Sequence, residues 1–144
     1  MRRVIFFFLS GFWTAFIFYN SLQPGSESAE ISGRFVRLFG VIFDRLGIAY
    51  DHGSLSIIVR KAAHIFEFFV LALLLFQLFK DNKYRYLGVA VCGFTVAVID
   101  ETIQHFVPGR VGAIVDVAID MGGVALALLL YLLIRTLFAK RTVN

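Results

Sequence analysis

Residues Asp100 to Arg110 read DETIQHFVPGR, and they follow YLGVAVCGFTVAVI (residues 86–99), one of the most apolar runs in the chain. A segment fit to sit in lipid therefore ends in two adjacent acids, a glutamine and a histidine, with an arginine past a Pro-Gly turn. How this ending is read decides the fold. The chain has 144 residues, is 59% hydrophobic with 17 Phe, and has a mean hydropathy of +0.81. A soluble domain of this size carries far more polar surface. The reading is one domain over 1–144, all-α, integral to a membrane. In lipid, a charged side chain near the middle of a helix costs at least about 2.5 kcal/mol. The polar ending is then tolerable only if it faces other polar groups, water or a ligand.

Four segments are apolar enough to span: about 4–19, 55–79, 86–106 and 113–138. Each is close to the roughly 20 residues that cross a hydrocarbon core. The first follows Met-Arg-Arg and is expected to be a retained helix, since no small-x-small cleavage site precedes NSLQPGSES. Basic residues accumulate on the cytoplasmic side of membrane helices. Arg2, Arg3, Lys80, Lys83, Arg85, Arg135, Lys140 and Arg141 fall on one side of a four-span chain, with Asp81 the only acid among them. Both termini are therefore expected in the cytoplasm. Between the first two spans lies an extracytoplasmic loop, about 20–54. QPGSES reads as a turn, and in FVRLFGVIFDRLG the residues Phe35, Leu38, Phe39, Ile42 and Leu46 recur at helical spacing opposite Arg34, Arg37, Asp44 and Arg45. That pattern predicts an amphipathic helix, either in the interface plane or over the mouth of the bundle. Ser54 reads as the N-cap of the second span.

The net charge of +4 is spread around hydrophobic segments, so no nucleic-acid partner is expected. The single cysteine, Cys92, sits in an apolar run and reads as a packing residue.

Three spans carry ionisable groups. The second has Arg60, Lys61, His64 and Glu67, of which Arg60, His64 and Glu67 share a stripe at about 100° per residue. The third ends in Asp100, Glu101, Gln104 and His105. The fourth carries Asp116 and Asp120 one turn apart, followed by Gly122 and Gly123, which read as a close-packing pair. With a rise of about 1.5 Å per residue, Glu67, Asp100 and Asp120 each lie roughly 18–21 Å from the basic end of their span. Three helices thus put charge at one level, which predicts a shared hydrophilic pocket open to the outer leaflet. Pro108 and Gly109 turn the chain so tightly that the third and fourth spans must be antiparallel neighbours, with Arg110 expected to reach back over Asp100, Glu101 and Asp116.

RKAAHIFEFFVLALLL (residues 60–75) and DETIQHFVPGRVGAIVDVAIDMGG (residues 100–123) resemble the signature blocks of the VanZ-like membrane proteins, and NSLQPGSESAEIS (residues 20–32) is similar to that family's serine-rich segment after the first span. The resemblance covers most of the chain. It places Lys61, His64, Glu67, Asp100, Glu101, Gln104, Arg110, Asp116 and Asp120 at the family's polar motif positions, with Asp120 where many members carry Asn. It implies a bacterial cytoplasmic-membrane protein tied to the cell envelope. Founding members of the family accompany glycopeptide resistance and raise tolerance to teicoplanin.

The chemistry can be read in several ways. As an enzyme at the outer leaflet, His64, Glu67, Asp100 and Glu101 would supply acid and base. Arg60, Lys61, Gln104, Arg110, Asp116 and Asp120 would hold the substrate, a lipid-linked envelope precursor or a phospholipid headgroup. As an accessory protein, the same pocket would bind without turnover. A lipid or solute carrier is the weaker reading, because the inner half of every span is nearly featureless. The bland alternative is a salt-bridge network that locks three helices, with Asp120 on Arg60 or Lys61. No cofactor is expected. A divalent metal among His64, Glu67, Asp100, Glu101, His105 and Asp116 is compatible with the residues but lacks an established spacing. A homo-oligomer is compatible with the pattern.

Overall fold

The computed structural model describes residues 1–141 and is all-α. Its helices are α1 (Arg2–Leu22), α2 (Gly25–Leu46), α3 (His52–Leu78), α4 (Arg85–Phe106) and α5 (Ile114–Arg141). The four apolar segments are α1, α3, α4 and α5, with ends displaced by no more than three residues. Helix α1 is longer at both ends, α3 starts earlier and stops one residue sooner, α4 starts one residue earlier, and α5 starts one residue later and runs on further. Three helices are long and apolar enough to cross a membrane: α1, α4, and α5 over Ile114–Leu137. The 27-residue α3 is not among them, and it carries Arg60, Lys61, His64 and Glu67 in its interior.

Two local expectations are corrected. QPGSES is not an extended turn: only Gln23 and Pro24 break the chain, and α2 starts at Gly25. Proline fixes its own φ but does not oppose a helix that starts just after it. The N-cap of α3 is Asp51, not Ser54; its carboxylate accepts from the Ser54 backbone N–H at 2.7 Å. Ser54 is the third residue into the helix, where an N–H has no intrahelical acceptor.

Contacts at the two ends fix the direction of each helix. At one end, Arg2 and Arg3 donate to Asp81 at 3.2 and 3.3 Å, and Arg135 donates to the Tyr86 hydroxyl at 3.1 Å. At the other end, Gly25 N–H donates to the Pro108 carbonyl at 3.1 Å and Arg110 Nη2 to the Asn20 carbonyl at 2.8 Å. Helices α1 and α4 therefore run one way, α3 and α5 the other. Gly109 makes the α4–α5 turn with φ 74°, a left-handed conformation that side chains disfavour.

Helix α3 packs against all four of the others, and its heaviest packing is on α5. Gly123 allows this, since a Cβ there would overlap the Ile65 carbonyl on α3. The expected close approach is real, but only at Gly123; Gly122 faces open space. Phe68, Leu71, Ala72, Leu75, Phe76, Val89, Ala97, Val124 and Ala127 fill the basic half of the bundle. Phe76 stacks on Tyr131 with ring centroids 4.6 Å apart, and Tyr86 meets both edge-on. Outside, Phe7, Phe8, Phe12, Phe94, Leu129 and Leu133 are exposed, an apolar perimeter suited to acyl chains.

Helix α2 lies against the first half of α3. Phe35, Phe39 and Phe43 line a groove with Leu55, Ile58, Val59, Ala62, Ala63 and Phe66. Val36 is buried, while Ile31, Leu38, Val41, Ile42 and Leu46 remain exposed.

Candidate functional site

The polar residues of α3, α4 and α5 meet at the end of the bundle opposite Asp81. The α3 stripe, one turn per step, turns Arg60, His64 and Glu67 toward one cleft. The end of α4 buries Asp100 (0% exposed), Glu101 (6%) and Gln104 (3%). Helix α5 brings Asp120, also 0% exposed, and Asp116 one turn earlier.

His64 is the link between helices. Its Nδ1 lies 3.4 Å from Asp120 Oδ1 and 3.8 Å from Asp100 Oδ2. Neither contact has the geometry of a hydrogen bond: His64 Nδ1 and both Asp120 oxygens are buried without a partner. Asp100 and Glu101 are better held. Gln104 Nε2 donates to Asp100 Oδ2 at 2.9 Å and to Glu101 Oε1 at 3.1 Å. The Ala113 backbone N–H donates to Glu101 Oε2 at 3.0 Å, and the Ser21 hydroxyl donates to Asp100 Oδ1. His64, Asp100, Glu101 and Asp120 each offer a donor atom, and these atoms all lie within 4.8 Å of one another.

The cations are arranged differently from the expectation. Lys61 Nζ pairs with Asp116 at 3.6 Å, so Asp120 is bound by neither Arg60 nor Lys61. Arg110 does not fold back onto the acids; it binds the Asn20 carbonyl, and its Nε is buried without a partner. The close contact of Gly25 with the Pro108-Gly109 turn brings the end of α1 within its reach. Burial first, and then the nearby Arg60 guanidinium, push the Arg110 pKa down from its ordinary value. Among the described residues, neither Arg60 nor Arg110 makes an ion pair. His105 is exposed and stands outside the cluster.

Beside the cluster opens a cleft of about 340 Å³. Arg60, His64, Glu67 and Arg110 form its polar wall, and Phe16, Ile31, Phe35 and Val59 an apolar one. The cleft and the groove under α2 share Phe35, Val59 and Ala63, so a polar chamber runs into an apolar slot.

Two site residues were not singled out in the sequence, although both open the stretch 20–32 that resembles the family's serine-rich segment. Asn20 Nδ2 donates to Glu67 Oε1 at 2.7 Å, and Ser21 serves Asp100. Their signal was slight: two small polar residues at the end of the first span, just before a Pro-Gly pair. Trp13 also docks on α3, donating to the Glu67 carbonyl at 2.9 Å.

A helical bundle with an apolar perimeter and a buried carboxylate–imidazole cluster at one end defines an all-α membrane protein with a polar site. The family model described as VanZ/LLP1 matches residues 6–135, and the chain belongs to that family. The motif resemblance is thereby borne out. No curated protein and no solved structure gives a significant match.

Proposed function

We propose that this VanZ-family envelope protein binds an anionic, lipid-anchored molecule in the cleft between α1, α2 and α3, from the outer leaflet. The observation that carries the reading is the pair Arg60 and Arg110. These two guanidiniums face one cleft without ion-pair partners among the described residues. Two cations held together over a half-buried space favour an anion, and guanidinium forks suit phosphate or carboxylate. The apolar slot continuing from the cleft gives a hydrocarbon tail its place. The ligand class is a lipid or lipid-linked envelope precursor with a phosphate headgroup. In this reading α3 is a fourth span, both termini are cytoplasmic, and α2 lies along the outer interface. Raised teicoplanin tolerance would follow from altered access of a lipid-tailed drug to that surface.

A second reading is chemistry on the same headgroup. It is favoured by Glu67, whose carboxylate is oriented by Asn20 on the cleft wall beside His64. A carboxylate so placed can take a proton from an attacking water.

The test is binding of undecaprenyl phosphate and of phosphatidylglycerol to detergent-purified protein, followed by native mass spectrometry. Charge-assisted hydrogen bonds contribute about 1.5–3 kcal/mol each. Arg60→Gln and Arg110→Gln should therefore each weaken binding by about tenfold or more, while a neutral diacylglycerol binds both variants and wild type alike. Equal binding of phosphate and neutral lipids by wild type removes the proposal. Product formation lost in Glu67→Gln, with binding retained, selects the second reading.

A further inference from the structure

We propose that His64, Asp100, Glu101 and Asp120 are the ligand set of one divalent transition-metal ion. Their four donor atoms lie within 4.8 Å of one another and come from three helices. Two ligands each about 2.1 Å from a tetrahedral ion are about 3.4 Å apart. That is the distance between His64 Nδ1 and Asp120 Oδ1, 3.4 Å.

The independent observation is Asp120. It is 0% exposed, and both of its carboxylate oxygens lack a hydrogen-bond partner. The His64 Nδ1 facing it is orphaned too. Buried polar atoms are almost always satisfied, and orphans point to something absent from the protein atoms. Beside them is a void of about 10 Å³, lined by His64, Glu101, Gln104 and Asp120, with Arg60 and Lys61 also on its wall. It has room for about one small sphere, a water or an ion.

The charges agree. Three carboxylates and a single imidazole bring their donor atoms together, and of the two cations beside them Lys61 is engaged by Asp116 while Arg60 makes no ion pair with the cluster. A divalent cation reduces this excess where a proton would neutralise only one acid. The surroundings agree as well. Gln104, Ser21 and the Ala113 N–H hold Asp100 and Glu101 from behind. Metal-binding carboxylates are oriented by such outer hydrogen bonds. One nitrogen with three carboxylates suits Mn²⁺, Fe²⁺ or Zn²⁺ better than Ca²⁺.

The inference does not rest on lipid binding. Chelator-stripped protein in lipid-free detergent is titrated with Mn²⁺ and followed by electron paramagnetic resonance, then with Zn²⁺ by calorimetry. The expected result is one ion per chain, with Asp120→Asn and Glu101→Gln each weakening affinity more than tenfold. Ser21→Ala keeps every ligand and should weaken it by about 10–100-fold, the usual effect of losing an outer hydrogen bond. A helical circular-dichroism spectrum and a single gel-filtration peak certify each variant. If Asp120→Asn does not fold, Ser21→Ala decides. No saturable ion, or affinity unchanged in a folded variant, overturns the site. Because no lipid is present, that failure would leave the headgroup reading standing, and failure of the lipid experiment would leave this site standing.

Discussion

Asp51 is the clearest single residue with a separable role. It stands outside the spans, and its carboxyl is held below its ordinary range, chiefly by the Ser54 backbone N–H. The stabilisation is present above that range and lost as pH falls through it. Below about pH 4 the cap should therefore weaken. The protection of the Ser54 amide, its hydrogen-exchange rate relative to the intrinsic rate at the same pH, is expected to fall on acidification in wild type and to be low at every pH in Asp51→Ala. The residues that the structure clusters were largely legible beforehand: His64, Glu67, Asp100, Glu101, Gln104 and Asp120 betray themselves because polar and ionisable groups in apolar helices demand an explanation. Their partners were not. Helical periodicity tells which face a residue is on, but not which of several neighbours it will meet. Hence Asp120 faces His64 and not the Arg60 or Lys61 of the salt-bridge alternative, and Arg110 meets a backbone carbonyl where carboxylates were expected. Asn20 and Ser21 stayed hidden for a related reason, since a short polar pair at a helix end is ordinary.

Between helices, the α3–α5 contact carries the site, because it sets His64 against Asp120. Gly123 is its pivot. A methyl group there meets backbone on α3, which cannot rotate away. Gly123→Ala should lower stability by about 1–3 kcal/mol, the usual cost of overpacking. Gly122→Ala, which meets nothing within 4 Å, should be neutral or slightly stabilising because alanine favours helix. Thermal unfolding of the two variants in detergent checks the contrast. Both glycines look alike in sequence, and only the rotation of α5 tells them apart. The helices themselves were legible from apolar runs, with ends displaced by a few residues. The start of α2 was not, because Ser-Glu-Ser after Pro-Gly reads as loop chemistry, whereas Pro24 there precedes a helix.

At the scale of the molecule, four long helices alternate in direction, and basic residues gather where Arg2 and Arg3 meet Asp81. If that end is cytoplasmic, a Cys92→Ala background carrying Lys83→Cys should react with a membrane-impermeant maleimide only after the cells are opened. The same background carrying Glu27→Cys should react in intact cells. The reverse pattern would invert the topology and place the cleft inside. Loop charges supply the orientation that this labelling checks, while the convergence of α1, α3 and the α4–α5 turn on one cleft is a tertiary feature that helical patterns do not encode.

The stacked Phe76 and Tyr131, with Phe68, Leu71 and Ala72 above them, form a greasy stopper beneath the carboxylates. An ion crossing it bare would shed its hydration shell, a far larger penalty than the roughly 2.5 kcal/mol that a charged side chain meets on a helix in lipid. On the proposed reading, a ligand beside His64 would leave by the side it entered. If the proposed orientation holds, exchange with this chamber is governed by the outer surface and by the lipids that would lie against α2.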